Sequence, residues 1–547
     1  MPRHHRLLET STVIIPKPGR LVRAPGAFTL DPTTTVRAAG GALSAADLLR
    51  TLLAPATGLP LAPAGEAGST GGVVELILDP SGHGPGSSGG LGGLGGLGDE
   101  GYHLTVTPDA VRLRAARVAG LLHGVQTLRQ LLPPEALEDR PVHGVAWRIP
   151  CLDVTDVPRF GWRGAMVDVA RHFQPLPFLL RTVDLLAFHK LNVLHLHLTD
   201  DQGWRMPSAA YPLLTEIGGS RARSMLGQAG SERYDDRPHG GSYTVEELRT
   251  LVRYAAERGV TVVPEIEMPG HTRAVLAAYP HMGNVPGRRL DVWTEWGVCE
   301  NVLGVHDEVL DFCRTVLGEV LDVFPSRYVH IGGDECPTVE WEQSPDARRR
   351  AAELGLAAPK ELHGWFLGRI GDFLIDAGRR PICWAEDSSS SLPPEFAVMP
   401  WRDGDHGLAA ARRGHEVVMA PHRSTYLDYP QSDAPDEPLG QAGEIVDLRA
   451  VHDNEPAPEY WEPAERARVL GTQAQLWSEF VITPEQADYL TFPRLCALAD
   501  RAWNPSSDWT TDFLPALRDH RPRLHALGIN RTTRTTRSTL STLSTPQ

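Results

Sequence analysis

Two glycines and two acids in succession close the segment YVHIGGDE, residues 328–335, and the pair Asp334-Glu335 is the part of this sequence best equipped for acid–base work. Cleaving a glycosidic bond takes one carboxylic acid to protonate the departing oxygen and a second group to attack or stabilise the oxocarbenium-like centre. On an extended strand, neighbouring side chains face opposite ways, so two adjacent carboxyls would not ordinarily flank one bond. A substrate that brings its own nucleophile, such as a 2-acetamido oxygen, removes the difficulty. The protein then needs only an acid/base and a second carboxylate to orient the acetamido nitrogen.

Similar residues close other short apolar runs: Asp168 and Arg171, Asp200 and Asp201, Glu265 and Glu267, Trp384 and Glu386, Trp401, Tyr426 and Asp428, Trp477 and Glu479. Carboxylates mixed with indole and phenol rings suit a neutral polyhydroxylated ligand, whose hydroxyls take charged hydrogen bonds and whose apolar faces stack. No cofactor loop accompanies them, and neither a cofactor nor a metal is expected. The partner expected is a carbohydrate.

Eight β-rich runs would position these residues: 164–170, 192–200, 260–268, 328–335, 381–387, 397–401, 416–420 and 472–479. Helical patterns at 177–190, 244–259 and 361–378 separate several of them, the order of a closed (β/α)8 barrel whose site forms at the carboxyl ends of the strands. A doubly wound open sheet would need a glycine fingerprint after its first strand, and GAMVDVARHF has none. Residues 1–147 read as a smaller α+β domain with strands at 73–79 and 102–116, a helix at 119–132 and a flexible glycine-rich loop at 81–100. The barrel is assigned to 148–527, and the repetitive polar stretch 528–547 to a disordered tail.

The chain of 547 residues carries a formal charge of −15, which speaks against nucleic acid and anionic membranes as partners. Its six cysteines show no CxxC pairing. Neither a signal peptide nor a run of about 20 apolar residues is visible, which leads to the expectation of a soluble cytoplasmic protein.

The blocks DVARHF (168–173), HKLNVLHLHLTDDQGWR (189–205), PEIEMPGH (264–271), HIGGDE (330–335), TYLD (425–428), LWSE (476–479) and GVQTLRQLL (124–132) resemble those of glycoside hydrolase family 20, the β-N-acetylhexosaminidases. They span most of the chain from about residue 100 to 503. The resemblance implies that Glu335 is the general acid/base and that Asp334 polarises the acetamido group. It also implies that Tyr426 holds the acetamido oxygen and that Trp384, Trp401 and Trp477 wall the acetamido pocket. Arg171 and Glu479 match binders of the ring hydroxyls, Asp428 a residue that helps hold the sugar, and Asp200 and His271 a buried network that tunes Glu335. Where many relatives have Asp, this chain has Glu267, one methylene longer.

Two rivals stand beside this reading. His195 and His197, two apart on one strand, could join His271, His330 and Asp334 in a metal-dependent barrel hydrolase. A non-catalytic N-acetylhexosamine-binding protein could use the aromatic box alone. A Schiff-base aldolase fails on position, because lysine occurs only at 17, 190 and 360, and Lys190 precedes its strand.

Overall fold

A computed structural model describes residues 13–64, 71–79, 96–385 and 392–529. Most of the glycine-rich segment 81–100, residue Glu386 and the tail from residue 530 lie outside the described residues.

All eight expected barrel strands are present: β1 (Trp162–Asp168), β2 (Val193–His197), β3 (Thr261–Glu265), β4 (Tyr328–His330), β5 (Arg380–Ala385), β6 (Ala397–Pro400), β7 (Glu416–Met419) and β8 (Val469–Leu476). They close in sequence order, every pair parallel, with β8 returning to β1. A parallel sheet covered on both faces needs strands that are apolar throughout, and β1 and β2 are buried at every residue. The two-residue period then sorts the side chains. On β2, Leu194 and Leu196 join the layer beneath the helices, while Val193 packs inside the barrel with Trp162, Met166, Val263 and Ile382. His195 and His197 share the parity of Val193, which places two imidazoles in the barrel interior.

The helices begin where their caps dictate. Helix Val245–Ala256 starts at Thr244, whose hydroxyl accepts from the Glu247 amide (3.1 Å) while the Glu247 carboxylate accepts from the Thr244 amide (2.8 Å).

The first domain is a six-stranded sheet in the spatial order Arg20–Leu30, Trp147–Asp156, Tyr102–Val106, Ala110–Ala115, Val73–Leu78, Thr35–Arg37, with helices Leu43–Thr57 and Val118–Leu131. The expected break at 147/148 is corrected here. Strand Trp147–Asp156 pairs antiparallel with Arg20–Leu30 and Tyr102–Val106, so the change of domain falls after Asp156. The aliphatic residues of this strand resemble a barrel strand in composition, but most alternate between buried and partly exposed, as a strand covered on one face must.

Lys190 fastens the two units at the end of the barrel opposite the strand carboxyl ends. Fully buried with φ +58°, it sets Nζ 2.7 Å from Asp156 Oδ2 and 2.8 Å from the Tyr102 hydroxyl, over the Trp503 ring. Arg163 pairs with Glu100 beside it at 2.7 Å. Among the described residues, no helix is long and apolar enough to cross a membrane.

Candidate active site

The segment after β4 decides where the acidic pair points. The strand stops at His330, and Gly332, Gly333 and Glu335 then adopt φ values of +63°, +91° and +45°. Three left-handed residues within four positions cancel the strand alternation, and glycine supplies two of them without steric cost. Asp334 and Glu335 therefore do not face opposite ways as a continuous strand would demand. Both line one cavity of about 230 Å³ at the carboxyl end of the barrel.

Ten of the eleven side chains proposed from the sequence line that cavity: Arg171, Asp200, His271, Asp334, Glu335, Trp401, Tyr426, Asp428, Trp477 and Glu479. The exception is Trp384, which lies beneath it. Its indole N–H donates to Glu265 Oε1 (2.7 Å) and its ring centroid is 5.8 Å from that of Trp477. Trp401 and Tyr426 form near-parallel walls, 24° apart with centroids 6.3 Å apart, and Trp477 stands at 52° to Tyr426. Tyr426 reaches this place because its segment bridges to Gln475 on β8. Four further lining residues were not proposed: Glu267, Tyr429, Gln441 and Ala442. Glu267 shares the parity of Glu265, a usable signal; Gln441 and Ala442 come from a proline-rich stretch with no periodicity to read.

A network of charges runs from the barrel interior to Glu335. Arg171 Nη2 is 2.8 Å from Asp200 Oδ2, and its guanidinium lies over the Trp477 ring. His271, at φ +51°, sets Nδ1 3.3 Å from both Asp200 Oδ1 and Asp201 Oδ2, and Nε2 3.7 Å from Glu335 Oε2. His197 sits between Asp200 (3.1 Å) and Glu265 (2.5 Å). Burial opposes charge on Arg171, Asp200, His197 and His271, but their pairing with opposite charges outweighs it. Asp200 is held below the usual carboxylate range by Arg171 and His271, and His271 well above the usual imidazole range by Asp200 and Asp201. His197 is pushed up to about 10 by Glu265 and Asp200.

A profile of the family 20 catalytic domain matches residues 160–506, and one of the family's domain 2 matches residues 11–157. The chain belongs to glycosyl hydrolase family 20. Over 94% of its length it is 36% identical to a β-hexosaminidase of Porphyromonas gingivalis, and it spans 64% of that relative's length. A β-hexosaminidase of Akkermansia muciniphila is 36% identical over 77% of this chain and 83% of its own. Among solved structures, the family 20 β-N-acetylhexosaminidase of Streptomyces coelicolor A3(2) superposes with a TM-score of 0.79 at 33% identity, covering 95% of this chain and 98% of that one. The exo-β-N-acetylglucosaminidase of Vibrio harveyi, solved with N-acetylglucosamine, gives 0.81 at 31% identity, covering 95% and 78%.

Burial governs the remaining ionisable groups of this family 20 site. It lifts Asp428 well above the ordinary carboxylate range, with Glu479 adding to the rise, and it lifts Glu479 against the opposing charge of Arg171. The Tyr426 hydroxyl is raised by burial and by Asp334, which keeps it a neutral donor at ordinary pH. Inside the family 20 barrel, His195, Glu265 and His330 approach one another closely, with Glu265 3.1 Å from His195 and 2.7 Å from His330. None of the three lines the cavity, so His195 and His330, two of the histidines behind the metal-hydrolase rival, pack around an internal carboxylate beneath it, whereas His271 lines the cavity itself.

Proposed function

We propose that this family 20 protein is an exo-acting β-N-acetylhexosaminidase that removes terminal N-acetylglucosamine or N-acetylgalactosamine with retention, using the substrate's acetamido group as nucleophile. The observation that carries the reading is the convergence of Asp334, Glu335, Tyr426, Trp401 and Trp477 on one small cavity. Its 230 Å³ is below the range of pockets that enclose drug-sized ligands, which fits a single sugar unit and exo action.

In this reading Tyr426 donates to the acetamido oxygen and Asp334 accepts from the acetamido N–H. The oxygen attacks C1 as the glycosidic oxygen takes the proton of Glu335 and leaves as an alcohol, giving an oxazolinium ion whose positive charge faces Asp334. Glu335, now a carboxylate, takes a proton from water as the water opens the ring at C1, which restores the β configuration. Trp401 and Trp477 exclude competing water, Trp384 supports Trp477 from below, and Arg171, Asp428 and Glu479 hold the ring hydroxyls. Asp200 fixes His271 against Glu335. The names of the relatives and the N-acetylglucosamine bound to the Vibrio harveyi neighbour support the same substrate class.

The test is turnover of aryl N-acetyl-β-glucosaminide and aryl N-acetyl-β-galactosaminide, with the anomer of the released sugar followed by proton NMR. The β anomer as first product is expected; no turnover of either substrate, or an α product, rejects the reading.

A further inference from the structure

One carboxyl of the cavity wall has no part in that scheme. Glu267, two residues beyond β3, is 2% exposed and lines the cavity alongside Asp334. Its Oε2 is enclosed and accepts no hydrogen bond. The surrounding backbone is shaped to hold it there. Its amide donates to the Thr199 hydroxyl (2.9 Å), and across from it Gly332 leaves open the space its carboxyl occupies: a Cβ on Gly332 would lie 1.7 Å from Glu267 Oε2. A side chain at 332 would therefore have to displace the Glu267 carboxyl.

The charges facing that position come from four strands. Glu265 is on its own segment, His197 and Asp200 belong to β2 and its extension, Asp334 follows β4, and the Cys383 thiol is on β5; His271 follows on the loop after β3. The two imidazoles are engaged elsewhere, His197 between Glu265 and Asp200 and His271 with Asp200, Asp201 and Glu335. Three carboxylates, Asp334, Glu265 and Asp200, press on Glu267, and His271 opposes them only in part. Carboxyls crowded into one buried wall favour the un-ionised form of one of them, and such pairs keep one proton.

We infer that Glu267 is a positioning residue for Asp334: it stands against that carboxylate as an un-ionised acid, so the wall facing the acetamido nitrogen carries one negative charge rather than two. The inference rests on the substrate-assisted reading above, which gives Asp334 its task. Burial, then Asp334 and Glu265, push the Glu267 carboxyl well above the usual carboxylate range, in keeping with this state.

The experiment pairs kinetics with infrared spectroscopy on the full chain. Glu267→Gln preserves shape and neutrality and is expected to keep kcat/KM on an aryl N-acetyl-β-glucosaminide within about tenfold of the wild type, the scale of one altered hydrogen bond. A loss of a hundredfold or more, with the thermal midpoint unchanged, would show that the ionised carboxylate is required and would overturn the inference. In protein labelled with 13C-glutamate at neutral pH, the wild type should show a protonated-carboxyl band that loses the intensity of one carboxyl in Glu267→Asp; an unchanged band overturns the inference whether or not the Gln variant folds. Wild-type protein inactive on the acetamido substrate would instead reject the proposed function and leave the infrared result standing.

Discussion

Replacing Gly332 by alanine probes the close fit between the segment after β4 and the carboxyl of Glu267. Two costs can be read from the structure. The residue sits at φ +63°, a left-handed conformation that costs an L side chain about 1–2 kcal/mol. The new Cβ would also lie 1.7 Å from Glu267 Oε2 and 2.2 Å from its Cδ, so the buried carboxyl must move, an overpacking penalty of about 1–3 kcal/mol. Together these predict a destabilisation of about 2–5 kcal/mol, measurable as a shift in the urea midpoint at constant slope. Because Glu267 can only move towards its neighbours, kcat on an aryl N-acetyl-β-glucosaminide should fall as well. A variant that loses under about 0.5 kcal/mol, the range of ordinary surface changes, and keeps wild-type kinetics would refute the wedge.

Glu335→Gln should lower kcat/KM by about 10²–10⁴ on substrates with poor leaving groups and far less on dinitrophenyl glycosides, which depart without a proton; an equal loss on both would remove its role as acid. Lys190→Met leaves Asp156 buried with a charge its cation no longer balances, and should cost about 3–5 kcal/mol in thermal or urea unfolding while the folded fraction keeps its turnover. Stability should fall as pH drops from 6.5 towards 4. Burial pushes His172, His189 and His195 down to about 4, so below 6.5 the unfolded chain takes up protons that the folded chain refuses, each site contributing up to about 1.4 kcal/mol per pH unit. His197, raised to about 10, acts in the opposite sense: its contribution is complete below 6.5 and is lost as pH rises towards 10. A thermal midpoint that stays flat between pH 6.5 and 4 would contradict these assignments.

The barrel was legible because short runs rich in aliphatic residues recur between helical patterns, as in GAMV of β1, and because most of the polar residues closing those runs converge in space. The departures have local causes. Strand Trp147–Asp156 carries barrel-like residues, and only its antiparallel partners assign it to the first sheet. How Asp334 and Glu335 come to share one site was not legible, because Gly332, Gly333 and Glu335 turn the backbone through left-handed conformations that strand alternation does not anticipate. Trp384 ended below the cavity because its indole N–H is claimed by Glu265, a partner 119 residues away. Nothing short of tertiary structure brings Gln441 and Ala442 to the rim.

The most direct measurement compares kcat/KM for matched aryl β-glycosides bearing 2-acetamido or 2-hydroxyl groups. If the acetamido oxygen is the nucleophile, the 2-hydroxyl substrate should react slower by several powers of ten, since removing a positioned intramolecular nucleophile forfeits an effective concentration of about 10⁵ M or more. Comparable rates would mean that a carboxylate of the protein attacks the sugar.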